Sequence, residues 1–286
     1  MSERQFDPVQ FTKMAREGWN AVALGWKKWA PTIEQGAQII NDRLVDMAAL
    51  RPGQKVLDIA AGYGEPLVTA ARRVGPSGLV VATDLSPEMI ALARERTSEL
   101  GLQNVEFYAC NGETLDIPQS DFDAALCRWG LMLMPDPDAC LRRVYKLLKS
   151  SGWVAMAVFS DPARSPFVAV AASTVRREVG LGPPAPDEPG IFRLADAKDL
   201  QRRFQKAGLR NVTIEQVGGQ LEFDSPEAYV RFIQDVARDI VRFLEDQPST
   251  RQEEIWQAVA GAARHYETSD RTVRFGFECH CVAGRK

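Results

Sequence analysis

The chain has 286 residues, 45% of them hydrophobic and 26% charged, with a formal net charge of −3. That balance excludes wholesale disorder and leaves room for one large α/β domain with appended helices. It also lacks the basic excess that nucleic-acid phosphates call for: the densest basic run, Arg142, Arg143, Lys146 and Lys149, falls at helical spacing beside Leu141, Val144, Leu147 and Leu148 and reads as a solvated helix face.

No apolar run approaches the roughly 18–20 residues of a membrane span. Met1–Gln5 lacks the apolar core of a secretion signal, so a cytoplasmic protein is expected. Five cysteines, an odd number, argue against a disulfide framework. Cys279-His280-Cys281 has no second ligand pair elsewhere, and strand residues rather than a metal site are expected there.

In chain order, residues 8–28 show an imperfect helical pattern, and Pro31 suits the start of a second helix carrying Ile33, Ala37, Ile40, Leu44 and Met47. Residues 1–50 are therefore expected to form a helical lid. The segment 51–160 reads as the core. Its strands are expected at Val56–Ala60, Leu79–Asp84, Val105–Ala109, Phe122–Cys127 and Trp153–Phe159. Helices between them span about 66–74, 87–100 and 137–149. Ser86 caps the second of these, Pro87 opens it and Glu88 favours its positive end. Such alternation predicts a doubly wound, mostly parallel sheet with helices on both faces.

Residues 161–286 continue the same domain. Helices are expected at 166–178, 195–207, 226–246 and 249–266. Gly180–Gly190 is expected as a loop. Strands are expected at 212–217, 221–223 and 271–283.

Ligands in such sheets bind beyond the carboxyl ends of the strands. The first end carries Asp58-Ile59-Ala60-Ala61-Gly62-Tyr63-Gly64, whose small residues let backbone approach a ligand. The second ends in Asp84, a carboxylate placed to accept from ribose hydroxyls. A dinucleotide fold places an acid there too, but its third glycine would fall on Leu67, after Pro66.

With these residues the chain resembles class I, Rossmann-like S-adenosylmethionine-dependent methyltransferases. Val56–Gly64 looks like their first motif and Asp84–Met89 like their second-strand motif. Asn111-Gly112-Glu113 looks like their adenine-side motif, and Leu147–Gly152 like the approach to their fifth strand. Cys127–Met132 and Met134-Pro135-Asp136 are similar to the ubiquinone/menaquinone-biosynthesis C-methyltransferase group of small-molecule enzymes. Ala60 stands where these proteins often carry Gly, and Asn111 where they often carry Asp.

The resemblance implies S-adenosylmethionine as cofactor, S-adenosylhomocysteine as its product, a small-molecule acceptor and an antiparallel last strand. Asp58 is then expected to organise the loop at the methionine end, with Ala60, Gly62 and Gly64 against the cofactor. Asp84 would hold the ribose, with Leu85 and Met89 flanking the adenine. Asn111, Gly112 and Glu113 would recognise the adenine edge. Cys127 ends the fourth strand, and Arg128, just past it, would face the methionine carboxylate or the substrate.

Trp19, Trp26, Trp29, Trp129 and Met132 are the expected substrate side, with ordinary helix packing as the alternative for the first three. An activated methyl needs positioning more than proton transfer, and no catalytic dyad is evident. His265 and Tyr266 are the candidate bases, while His280, expected at the far end of the last strand, reads as structural. A nicotinamide-dependent oxidoreductase and a non-catalytic binding or regulatory protein remain as alternatives.

Overall fold

A computed structural model of the protein describes residues 7–183 and 188–286. Met1–Gln5 and residues 184–187 of the expected loop lie outside them. Asp7 accepts from the backbone N–H groups of Val9 and Gln10, and Pro8 opens helix α1 (Pro8–Met47). The two expected helices are thus one, running through Pro31. Proline removes one helical hydrogen bond there. The helix persists because Ala30, Ile33, Ala37, Ile40 and Leu44 bury one continuous face on the domain.

Then follow β1 (Lys55–Ile59), α2 (Leu67–Val74), β2 (Leu79–Asp84), α3 (Pro87–Glu99), β3 (Val105–Ala109) and β4 (Phe122–Arg128). After them come α4 (Pro137–Leu147), β5 (Leu148–Phe159), α5 (Pro166–Glu178), α6 (Ala197–Lys206) and β6 (Arg210–Phe223). The chain ends in α7 (Pro226–Val236), α8 (Arg238–Arg242), α9 (Ser249–Ala263) and β7 (Val273–Arg285). The expected cap of α3 is present: Ser86 Oγ accepts from Met89 N at 3.0 Å.

The sheet has seven strands in the order β3-β2-β1-β4-β5-β7-β6. Strands β1 to β5 pair in parallel, and β7 lies antiparallel between β5 and β6. This is the mostly parallel, Rossmann-like architecture expected, with the antiparallel final strand. Its order reverses between β1 and β4, where open α/β sheets bind ligands.

Three local expectations are corrected. The strands expected at 212–217 and 221–223 are one strand, because Gly218 and Gly219 stay in register opposite Glu278 and Phe277. The helix expected at 226–246 breaks at Ala237, giving α7 and α8. The last strand also overshoots its neighbour. His280 pairs with Val158, one residue from the carboxyl end of β5, and does not lie away from that edge. It remains structural: its ring Nε2 meets the Ala195 carbonyl at 2.9 Å.

Glycine sets how closely α1 lies on the domain. A Cβ on Gly36 would stand 2.1 Å from the Gln220 carbonyl oxygen, and one on Gly25 2.0 Å from that of Asp235. The helix thereby carries Trp26, Ala30, Ile33 and Glu34 over the sheet's switch point.

Candidate cofactor and acceptor site

A cavity of about 1090 Å³, its open mouth included, lies beyond the carboxyl ends of β1, β2 and β4. Its floor is the turn after β1. Gly62 and Gly64 have φ of +53° and +112°, and Ala60 adopts φ +55°. Left-handed backbone is strained for alanine and free for glycine. The loop therefore explains why glycine suits position 60, and alanine keeps the fold at a modest cost.

Asp84, at the end of β2, holds this turn. One carboxylate oxygen accepts from Gly62 N and the other from Ser86 N, both at 2.9 Å. Burial pushes its pKa up, while these backbone donors pull it down. The residue still lines the cavity, beside Leu85 and Met89. Opposite, Asn111 Oδ1 accepts from Glu113 N at 2.8 Å. That donor fixes which way the amide faces. Gly112 is a close-approach position, since a Cβ there would meet Met134 Cε at 2.5 Å.

At the other end, α1 and β4 meet. The Arg128 guanidinium forks onto Glu34, Nη2 to Oε1 at 2.9 Å and Nη1 to Oε2 at 3.0 Å, and also donates to Asn41 Oδ1. Its charged plane lies 4.7 Å from the Trp129 ring centroid. Arg128 lines the cavity but is already engaged by Glu34, which the sequence reading did not anticipate. Neither Glu34 nor Asn41 was singled out. The signal was there: two polar residues seven positions apart share the apolar face of a helix.

Of the expected cofactor residues, Ala60, Gly62, Gly64, Asp84, Leu85, Met89, Asn111, Gly112 and Arg128 line the cavity. Asp58, Glu113 and Cys127 do not. Glu113 turns away to accept from Asp136 N, and Cys127 is buried with its thiol pushed up to about 12 by burial. Asp58 is fully buried, and neither carboxylate oxygen has a hydrogen-bond partner among the described residues.

Burial first, and Glu65 second, raise the Asp58 pKa well above 3.8. The native state therefore retains this proton to higher pH than the unfolded chain, and stability falls as pH rises from 3.8 through the raised folded value. Asp58→Asn should accordingly stabilise the ligand-free protein at neutral pH by about 1–3 kcal/mol. The gain should shrink as pH falls toward 3.8, where the native carboxyl is neutral too. Melting curves of both proteins across pH measure this. A variant that melts lower at pH 7 would mean the ionised carboxylate is stabilised where it lies.

A second cavity, about 1250 Å³ with its mouth, adjoins the first. Phe11, Ala15, Trp19, Trp26, Ile33, Trp129 and Leu133 line both. Its own walls add Met132, Phe159, Phe167 and Phe232, and its charged residues are Arg238, Asp239 and Arg242. Trp129 is the partition. It has φ +62°, stacks on Phe159 at 5.0 Å and donates to Cys279 Sγ at 3.2 Å. A left-handed tryptophan is costly unless its surroundings hold it, and here the Phe159 and Phe277 rings and a thiol do.

Trp19, Trp26, Trp129 and Met132 all line this second cavity. Trp29 does not: its Nε1 donates to Asp235 at 2.7 Å and its ring packs on Phe223 and Phe232. His265 and Tyr266 line neither cavity. His265 is exposed with Nδ1 3.2 Å from the Ala262 carbonyl, and Tyr266 stacks on Phe275. Among the described residues no cluster could hold a metal ion, and no helix is long and apolar enough to cross a membrane.

The geometry fits the expected cofactor. Glycines and an alanine floor the cavity, a carboxylate stands at the end of β2 and backbone approaches at Gly112. An ion pair with unused hydrogen-bonding capacity lies at the opposite end.

Residues 50–179 match a family described as a methyltransferase domain. The ubiquinone/menaquinone biosynthesis C-methyltransferase UbiE of Pasteurella multocida is 36% identical over 123 residues, 43% of this chain and 46% of that protein. Its Escherichia coli K12 counterpart shows the same identity over 49% of its length. The chain thus spans about half the length of the curated relatives it matches. Among solved structures, phosphoethanolamine N-methyltransferase 2 of Haemonchus contortus aligns with a TM-score of 0.57 and 15% identity, covering 100% of this chain and 61% of that one. The YcgJ protein of Bacillus subtilis aligns at 0.54 and 19%, over 86% of this chain and 97% of its own. These two establish the fold.

Proposed function

We propose that this chain, whose residues 50–179 match a methyltransferase domain, is a class I S-adenosylmethionine-dependent enzyme that transfers a methyl group to a small, largely apolar molecule. The observation that carries the reading is the pair of contiguous cavities sharing the Trp19–Trp26–Trp129 wall. One has the carboxylate and close backbone that an adenosyl group needs. The other is lined mainly by rings and aliphatic side chains, as small-molecule pockets are.

The cofactor supplies an activated methyl on a sulfonium. What this chain supplies is placement. Asp84 and the backbone around Asn111 and Gly112 fix the nucleoside end. Trp129, Leu133 and Ile33 form the dry wall between donor and acceptor, excluding water. The dinucleotide alternative loses support at α2. A pyrophosphate would occupy that helix N-terminus, but the buried Glu65 carboxylate already accepts there from Thr69 N and Oγ1. Titration calorimetry should show S-adenosylhomocysteine binding and no NAD binding; the reverse result would overturn the reading.

Catalysis by placement also sets an expectation for the two former base candidates. His265→Ala and Tyr266→Phe should each lower turnover only a few-fold, against the roughly 10²–10⁴-fold loss on removing a general base. The assay is S-adenosylhomocysteine release over a panel of apolar acceptors across pH. A loss above a hundred-fold, with folding and cofactor affinity intact, would restore a base role. The five cysteines are all free, which supports a reducing cytoplasmic setting for this activity.

A further inference from the structure

We propose that Glu34 of α1 is a cofactor-binding residue that reads the ammonium of the cofactor's amino-acid end, while its partner Arg128 reads the carboxylate. The inference rests on the cofactor reading above and extends it to a residue outside the matched methyltransferase domain.

The two side chains form a preassembled zwitterion receptor. Both line the cavity at the end opposite Asp84. Both are held rigidly, because the fully buried Asn41 donates to Glu34 Oε2 at 3.0 Å and accepts from Arg128 Nη1 at 3.0 Å. Neither is saturated. Arg128 commits Nη1 and Nη2, and its Nε has no acceptor among the described residues. Glu34 Oε1 receives one bond, from Arg128, and can accept another. A zwitterion laid against the pair meets an opposite charge on each side without breaking the bridge.

The surroundings favour a ligand cation there. Glu34, Glu65 and Asp58 crowd around Arg128 and Arg96: Glu65 is raised by burial and then by Glu34, and Asp58 by burial and then by Glu65. Arg96 is itself taken up by Glu65 at 3.2 Å. An ammonium beside Glu34 would relieve this repulsion. Because Glu34 sits on α1, cofactor binding would also pin that helix to β4.

The test compares two ligands that differ at this end. S-adenosylhomocysteine carries the zwitterion; 5′-methylthioadenosine keeps the nucleoside and sulfur but lacks it. In calorimetry, Glu34→Gln should weaken S-adenosylhomocysteine about 10- to 100-fold, the range for losing a hydrogen bond to a charged group. Binding of 5′-methylthioadenosine should not change. Glu34→Asp, which keeps the charge, should recover part of the loss. Unchanged affinity for both ligands overturns the proposal, as does an equal loss for both, which marks a structural role only. Tighter S-adenosylhomocysteine binding overturns it too, since Glu34 would then be competing for Arg128. Should Glu34→Gln fail to fold, hydrogen exchange on the unmodified protein decides. Protection of residues 30–41 should rise with S-adenosylhomocysteine and not with 5′-methylthioadenosine, and an equal response to both counts against the assignment. If the unmodified protein binds neither ligand, the cofactor reading itself falls, a result distinct from all of these.

Discussion

Asp84→Ala is expected to weaken S-adenosylhomocysteine binding by at least about 1.5–3 kcal/mol, the range for losing hydrogen bonds to a charged group. The carboxylate does two things at once. It faces the cavity where ribose hydroxyls would donate, and it holds Gly62 N and Ser86 N at 2.9 Å. Truncation removes the ligand contact and frees the turn that floors the cavity, so the loss should sit at or above the upper end of the range. Asp84→Asn separates the two effects. Its single amide oxygen can serve one donor well, and its NH₂ would face an N–H donor on the other side. Calorimetry with the thermal stability of each variant measured alongside gives the answer. Unchanged affinity in a folded Asp84→Ala protein would remove this residue from the ribose site.

The sequence made the sheet legible because each parallel strand is a short apolar run punctuated by glycine or proline. β2 and β3 match to the residue and β1 and β4 to within one, whereas β5 begins at Leu148, five residues before the expected Trp153. The cofactor end of the site was legible for the same reason: its residues sit at strand ends, where chain order alone fixes their place. What failed was anything settled by contacts distant in sequence. Pro31 is a strong local stop, yet packing of Ile33, Ile40 and Leu44 on the domain overrides it. Trp29 has the same sequence credentials as Trp26. Three residues of rotation turn it to Asp235 and away from the cavities. Arg128, expected just past β4, is its last residue, but its partner lies 94 positions earlier. Nothing local to either residue announces that pairing.

The electrostatics show the same division. Asp58 reads from the sequence as a loop-organising acid. The fold buries it fully, beside Glu65 and within the field of Arg128. That arrangement costs stability in the free protein and creates a demand for positive charge near the cavity. Sites that bind charged ligands often carry such a cost, and here it falls on the same end of the cavity as the Glu34–Arg128 pair.

Replacing glycine by alanine inside a helix ordinarily stabilises it by about 0.5–1 kcal/mol, but Gly36→Ala should destabilise this protein by about 3 kcal/mol or more, as severe overpacking does. The added Cβ would lie 2.1 Å from the Gln220 carbonyl oxygen, an atom of backbone that cannot rotate aside. The Leu221 side chain stands at 3.0 Å from the same Cβ, and β6 approaches so closely that a Cβ on Gly219 would meet the Gly36 carbonyl oxygen at 2.5 Å. Gly261→Ala, in α9 with nothing within 4 Å, is the matched control and should raise stability. The exposed ion pair of Lys28 with Asp235 adds little by comparison; the buried face of Ile33, Ala37, Ile40 and Leu44 holds α1 down, at a distance that the glycines permit. It should hold the helix unevenly. Residues 25–43 are fastened through Gly25, Gly36 and the Arg43–Glu215 pair, whereas residues 8–20 are largely exposed and reach over both cavities with Phe11, Ala15 and Trp19. In hydrogen exchange the first turns should therefore open readily in the free protein and gain protection with cofactor, while the fastened part starts from a higher protection. If Gly36→Ala melts at or above the unmodified protein, α1 does not dock this closely on β6. The placement of Trp26 and Glu34 over the cavity would then lose its physical basis.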